Sequence, residues 1–282
     1  MSGIAAPASY TERLPIAQLR GVARTVWIQQ VGDEPYVQRH LPTGGVELHF
    51  PVGGRPHLLG PLTGPLVEVI PARTTVLGVR FFPGGAPPLP AFLDDLVDQR
   101  VLLQDLWGAD AERLAEALAL AASASVGLAL LQRRLLQEYR RAAHLDVLVR
   151  EAARILMPWR PSQVGDAADA LALSASQLRR RCLSATGLSP KVLQRALRFQ
   201  GFLALAQAGA GATGRRDADG VAGLAADVGY SDQAHLNREC VRLTGVTPLQ
   251  LLGGVDRCAC GHDHLASYAP FLAGRPMPLP AG

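Results

Sequence analysis

Lysine is almost missing from this chain: Lys191 is the single lysine among 28 basic residues, so arginine carries nearly all the positive charge. Cysteine is scarce as well. Four cysteines in 282 residues exclude a disulfide framework and point to a reducing compartment. Long apolar runs are lacking. The longest weakly polar stretch, residues 117–131, is too short and too rich in Ala and Ser to span a bilayer. The start, MSGIAAPASYTER, has no basic segment followed by an apolar run, which argues against a secretory signal. No Gly-rich phosphate loop, serine-hydrolase elbow or metalloprotease helix motif is present. These absences favour a soluble cytoplasmic protein that is not an enzyme and has no membrane partner.

What is there supports a folded, two-part chain. An apolar fraction of 48% is enough for a real core, and 282 residues suit two ordinary domains. The formal net charge of +4 is unevenly placed. Residues 144–253 hold thirteen basic and nine acidic side chains, and the remainder holds fifteen of each. The whole excess therefore falls in the C-terminal part, as a phosphate-bearing partner requires.

The N-terminal part alternates short β-prone runs with Gly and Pro. After a loose arm of about twenty residues, anchored by Tyr10 and Leu14, the clear runs are VARTVWIQQ, GVELHFPVGG, GPLVEVIPA and TTVLGVRFFPGG. Strands at this spacing suggest a small barrel or sandwich. After Pro90 the pattern becomes helical in AFLDDLVDQRVLLQDLWG, DAERLAEALALAA and SVGLALLQRRLLQEYRRAA. Leu128, Leu131, Leu135 and Tyr139 of the last segment share one side. That face packs either on the β domain or against a second copy of the chain.

The C-terminal part is built from a duplicated unit. Residues 178–190 (LRRRCLSATGLSP) and 236–248 (LNRECVRLTGVTP) match at an offset of 58, with Leu178, Arg180, Cys182, Thr186, Gly187 and Pro190 repeated as Leu236, Arg238, Cys240, Thr244, Gly245 and Pro248. Upstream the offset becomes 57 and pairs Ser174 with Ser231, which places an extra residue just after the second serine. Each serine is positioned to cap a helix start and each glycine to end it in the left-handed region. Leu178, Cys182 and Ala185 are spaced to face a core, which leaves Ser176, Arg179 and Arg180 on other faces. Two short helices around a tight turn, the second one basic, form a helix-turn-helix. A helix over residues 144–157 would precede the first unit. A long helix from Ser189-Pro190 through Ala208 would join the two units, and GAGATGRRDADG, residues 209–220, reads as a flexible loop.

The segment from residue 221 to 248, VAGLAADVGYSDQAHLNRECVRLTGVTP, resembles the second helix-turn-helix of AraC/XylS transcription regulators, and the likeness extends over roughly residues 143–253. Cys182 and Cys240 replace the usual aromatic, and Ala172 stands where the first unit often has Gly. The resemblance implies an α+β chain: a β-rich, barrel-like N-terminal domain with flanking helices, followed by an all-α domain with two helix-turn-helix units. The divisions expected are 1–90 as sensor, 91–143 as a helical and dimerising segment, 144–253 as the DNA-binding domain and 254–282 as tail. LPTGGVELHF and TTVLGVRFFPGG also resemble the diverged cupin-type sensor domain of a subgroup of these regulators. Double-stranded DNA is the implied partner, with a small-molecule effector, RNA polymerase and a homodimer partner beside it.

Carried over by alignment, the base-facing positions are Ser176, Arg179 and Arg180 in the first unit and Gln233, Ala234, Asn237 and Arg238 in the second. Arg suits guanine O6 and N7, and Asn or Gln suits adenine N6 and N7. Arg181 and His235 are expected at the DNA backbone.

Three other constellations stand apart from this reading. Glu47 and His49 share a strand face, with Arg80 and Phe82 alternating similarly on theirs, which fits either surface or mutually satisfied polar residues or, as the candidate ligand site, a polar pocket. His40 and His57 would complete a cupin-like metal set, but the H-x-H spacing is missing, so no metal and no cofactor is expected. Cys258, Cys260, His262 and His264 in the tail have ligand chemistry for zinc or copper, in a cramped spacing that favours an incidental segment. The competing function is a metal-binding sensor or cupin-like enzyme that uses the β domain or this tail.

Overall fold

A computed structural model describes residues 8–141, 145–159, 162–213, 220–253, 265–273 and 275. The described residues of the N-terminal part form eight strands: β1 (Ser9–Arg13), β2 (Ala23–Gln30), β3 (Tyr36–His40), β4 (Glu47–Pro51), β5 (His57–Leu59), β6 (Leu66–Ile70), β7 (Thr75–Phe81) and β8 (Arg100–Leu102). Six of them form one sheet in the order β1-β2-β7-β4-β5-β8, and β3 and β6 pair separately. All recorded pairings are antiparallel.

Alternation along the strands divides the large sheet into two unlike faces. Leu48, Phe50, Leu58, Leu77 and Val79 point one way and join the main apolar core. That face is covered by α2 (Ala109–Ala119) and α3 (Ala124–Arg141), which follow the short α1 (Leu103–Trp107). Leu114, Leu118, Leu128, Leu131 and Leu135 are buried in the same core. The opposite face carries Glu47, His49, His57 and Arg80, with Glu47 opposite Arg80 and His49 opposite His57 in the ladder. The barrel interior is therefore polar, and its apolar support lies outside, under the helices.

The expected arm at residues 1–20 is not loose where it is described. Residues 9–13 form β1, and Tyr10 packs on Trp27 with ring centroids 5.8 Å apart. Leu14 is no anchor; it is 49% exposed. The helix expected over 91–108 starts only at Leu103. Before it, the backbone bonds elsewhere: Asp98 N–H donates to Pro61 O and Gly60 N–H to Gln99 O, while the Asp98 carboxylate accepts from Thr63 N–H and Oγ1. Leu93 and Leu96 still reach the core, so their apolar spacing was real but their conformation was set by the neighbouring loop.

The C-terminal part comprises α4 (Val147–Ile155), α5 (Val164–Ala170), α6 (Ala175–Thr186), α7 (Pro190–Thr213), α8 (Val221–Asp227), α9 (Gln233–Thr244), α10 (Pro248–Gly253) and α11 (Leu265–Ala273). α7 runs past Ala208 to Thr213, into the expected loop, because its alanines sustain helix despite the intervening glycines. Its first half gives Leu193 and Leu197 to the core around α4–α6, and its second half gives Phe202 and Leu205 to the core around α8 and α9. At 24 residues the rod is ~36 Å long.

Candidate DNA interface and barrel interior

The two helix-turn-helix units close their second helices in the same way. Thr186 Oγ1 donates to Cys182 O at 2.7 Å and accepts from Leu188 N–H at 3.1 Å. Thr244 Oγ1 repeats both bonds with Cys240 O and Val246 N–H at the same 2.7 and 3.1 Å. Gly187 and Gly245 follow with φ of 70° and 79°, the left-handed cap expected of them. Leu178, Cys182, Leu236 and Cys240 are fully buried, so both cysteines serve as small core residues. Burial pushes each thiol up to about 11.

The helix starts differ. Ser174 Oγ accepts from Gln177 N–H, and Gln177 Oε1 accepts from Ser174 N–H, a capping box. In the second unit the cap is Asp232, whose Oδ1 accepts from His235 N–H at 2.6 Å. Ser231, expected as the cap, instead bonds the Asp232 carboxylate and the His235 ring. The extra residue of the second unit therefore precedes the cap, and the offset of 58 holds throughout the second helix. The turn itself needs positive φ: Gly229 has φ 78° and its counterpart Ala172 has φ 52°.

Ser176, Arg179, Arg180, Gln233, Ala234 and Arg238 are exposed, and Asn237 is half-buried. These positions lie on α6 and α9, the second helices of the two units. Arg181 does not project freely; its Nη1 donates to Asp146 Oδ2 at 2.8 Å, and Asp146 caps α4. The His235 ring stands edge-on to Tyr230, 5.1 Å between centroids. Arg195 on α7 holds Glu239 on α9 by two bonds of 2.7 and 3.1 Å, which braces the second unit against the joining helix.

The N-terminal β-rich part touches the far ends of these helices. Arg39 Nη1 donates to Thr244 O at the carboxyl end of α9. Leu93 O lies against Gly187 at the end of α6. Gln200 on α7 donates to Pro42 O and accepts from the buried Arg24. α11, inside the expected tail, packs between α7 and the β1-β2 edge. Its Ser267 donates its N–H to Glu12, accepts at Oγ from Arg80, and presents its carbonyl to Arg24. The Arg24 guanidinium also lies 4.6 Å from the Phe271 ring centre. The Cys258–His264 motif lies outside the described residues.

Inside the barrel, Arg80 holds both Glu47 oxygens, at 2.7 and 3.4 Å, and His49 Nε2 stands 3.3 Å from Glu47 Oε2. Burial alone would raise the Glu47 carboxyl, but Arg80 and His49 outweigh it and hold the group well below the usual carboxylate range. Glu47, His49 and Arg80 are thus brought together, while Phe82 sits past the end of β7 and outside this hydrogen-bonded network. His40 and His57 join the cluster from β3 and β5, with ring centroids 5.0 and 4.9 Å from His49. Sequence reasoning missed Glu68, which reaches in from β6 to 3.6 Å from His40 and 3.7 Å from His57. Burial opposes its ionisation, yet the imidazoles around it, His40 first, bring its carboxyl down to about 2. Burial, followed by the neighbouring His49 and Arg100, lowers His57 to about 3. A separate open cleft of about 380 Å³ lies between the β4–β5 turn and α2, lined by Arg55, Leu102, Gln104, Ala111, Glu112 and their neighbours; Glu47, His49, Arg80 and Phe82 do not line it.

The chain matches a helix-turn-helix domain family over residues 167–253 and a domain family of unknown function over residues 11–101. No curated protein matches it. Among solved structures, an apo form of a ToxT variant from Vibrio cholerae is 10% identical, covers 88% of this chain and 98% of its own, and gives a TM-score of 0.46. ToxT from the same organism bound to an unsaturated fatty acid is 13% identical over 88% of this chain and 96% of its own, with a TM-score of 0.39. No described helix is long and apolar enough to cross a membrane. The helix-turn-helix match, together with two units whose second helices close with the same bonds around a shared joining helix, makes residues 167–253 an AraC-type helix-turn-helix domain, the DNA-binding part of a transcription regulator.

Proposed function

We propose that α6 and α9 enter successive major grooves on one face of a duplex. The observation that carries this is the duplication: two equivalent units, each with its own core, are mounted on a single rod of ~36 Å, close to the ~34 Å of one turn of DNA. Ser176, Arg179 and Arg180 face the bases of one half-site, and Gln233, Ala234, Asn237 and Arg238 face those of the other. The exposed position of all but one of these side chains, and contact of the sensor domain with the opposite helix ends, support that assignment. Each good bidentate pair would contribute about 1–3 kcal/mol of discrimination.

The N-terminal domain acts as the sensor for a small-molecule effector in a cytoplasmic protein. An effector shifts DNA binding only by binding one arrangement of the two domains better than another. The contacts of Arg39, Arg24 and Arg80 with α9 and α11 are where two arrangements would differ. RNA polymerase and a second copy of the chain complete the proposed partners. Residues 91–143 supply no open apolar seam on the face formed by Leu128, Leu131 and Leu135, which is filled by the protein's own sheet.

The test is comparative. Genomic footprinting of the tagged protein locates an operator, and Arg179→Ala is then titrated against operator and random DNA. Base readout predicts a loss of about 5- to 100-fold on the operator with a much smaller loss on random DNA. Equal loss on both assigns Arg179 to the backbone.

A further inference from the structure

The polar groups inside the barrel are not mutually satisfied. His40 Nε2 and His57 Nε2 are buried and have no hydrogen-bond partner, and Glu68 Oε2, also buried, is met only by the Arg100 guanidinium at 3.2 Å, out of hydrogen-bond alignment. His40 is 7% exposed and His49 is 1% exposed. Buried polar atoms without partners carry a cost, and two imidazole nitrogens turned toward one buried carboxylate oxygen, at 3.6 and 3.7 Å, leave room for a ligand between them. His40 and Glu68 are diagonal neighbours on the β3-β6 ribbon; His49 faces them from β4 across the barrel.

We propose that His40, His49 and Glu68 bind a divalent first-row transition metal ion, of which zinc is the representative. One ligand atom from each of the three lies within 4.8 Å of the other two. Ligands held at ~2.1 Å from a tetrahedral zinc stand ~3.4 Å apart, and His40 Nε2 and Glu68 Oε2 are already 3.6 Å apart. Two imidazoles and a carboxylate leave a coordination position open for water or for an effector oxygen.

The surroundings orient these groups as ligands. Glu47, held ionised by Arg80, can only accept, so His49 Nε2 donates to it and Nδ1 keeps the lone pair. A carboxylate behind a ligating imidazole is the arrangement that fixes ring orientation and strengthens the donor. The Arg100 guanidinium can only donate, so His57 Nδ1 accepts from it and the proton sits on Nε2, facing Glu68 Oε2. His57 is accordingly a positioning residue for Glu68. Arg100 Nε lies 3.2 Å from Glu68 Oε2 and balances its charge in the free protein, with its side chain 47% exposed to solvent.

The tail motif supplies competing ligands, so the experiment uses the full chain with Cys258→Ser, Cys260→Ser, His262→Ala and His264→Ala. Co(II) alone is titrated by visible absorption, and Zn(II) by displacement of Co(II). The proposal predicts one equivalent of Co(II), d–d bands without thiolate charge transfer, and affinity at least ~100-fold weaker in both His40→Gln and Glu68→Gln, with far-UV circular dichroism and melting retained. Absence of binding in the tail-substituted chain, or binding that survives both ligand substitutions, overturns it. Should a variant fail to fold, X-ray absorption of the zinc-loaded, unsubstituted-barrel protein decides: a nitrogen and oxygen shell with two imidazoles supports the site, and any other shell contradicts it.

Discussion

Arg39 Nη1 on β3 donates to Thr244 O at the end of α9 over 2.8 Å, so the residue beside His40 in the β domain also holds the carboxyl end of the second unit's second helix. A guanidinium suits that place because the last carbonyls of a helix carry partial negative charge. Arg39→Gln removes the charged donor. It should cost about 1–2 kcal/mol of stability by chemical denaturation and speed amide exchange in the last turn of α9. Unchanged exchange there would show that the contact does not join the two domains.

Gly78 lies between Trp27 and His49 in the sheet, opposite both in the ladder. A Cβ at this position would stand 2.0 Å from the Trp27 ring, which itself meets His49 edge-on at 5.0 Å. Gly78→Ala should destabilise by about 1–3 kcal/mol and shift Trp27 emission. Neither effect is expected at Gly165 of α5, which has open space around it and no left-handed φ.

Ala172 occupies the left-handed region at φ 52° where the second unit has Gly229. The strain of a Cβ there, about 1–2 kcal/mol, is only partly offset by the greater freedom of glycine in the unfolded chain. Ala172→Gly should therefore raise stability by about 0.5–1 kcal/mol and leave operator choice unchanged. A lower melting temperature would contradict the assignment of strain.

Cys182 and Cys240 are buried, and both thiols are pushed up to about 11 by that burial. Only the thiolate alkylates, so reaction requires a pH above that value or unfolding. With Cys258→Ser and Cys260→Ser in place, iodoacetamide at about pH 8.5, where a free thiol is half ionised, should label neither residue in the native protein and both in denaturant. Rapid native labelling would place at least one of them outside the core.

The C-terminal half was legible because its signals are local. Cap residues, the closing Thr-Gly and a 3.6-residue apolar spacing repeat in one chain, and each reappears as a hydrogen bond or a buried side chain. Ser231 was misread because a serine at the right offset looks like a cap until Asp232, one residue later, takes the bond. The barrel interior was harder to read. In β6 the alternation is inverted: Val67 and Val69 are 52% and 64% exposed, while Glu68 points inward. A pattern that places apolar residues inside hides such a carboxylate, and the pairing that brings it to His40 depends on a separate ribbon that no local signal reveals. β3 went unrecognised for the same reason, since its Val37 faces solvent and Gln38 and His40 face in.

Tandem readout of one duplex is tested most directly by hydroxyl-radical footprinting on the located operator, with the unsubstituted chain and with Arg179→Ala and Arg238→Ala. The account predicts two protected patches about one helical turn apart on the same face of the DNA, with each substitution weakening only its own patch. A single patch, or two that fade together under either substitution, would contradict it.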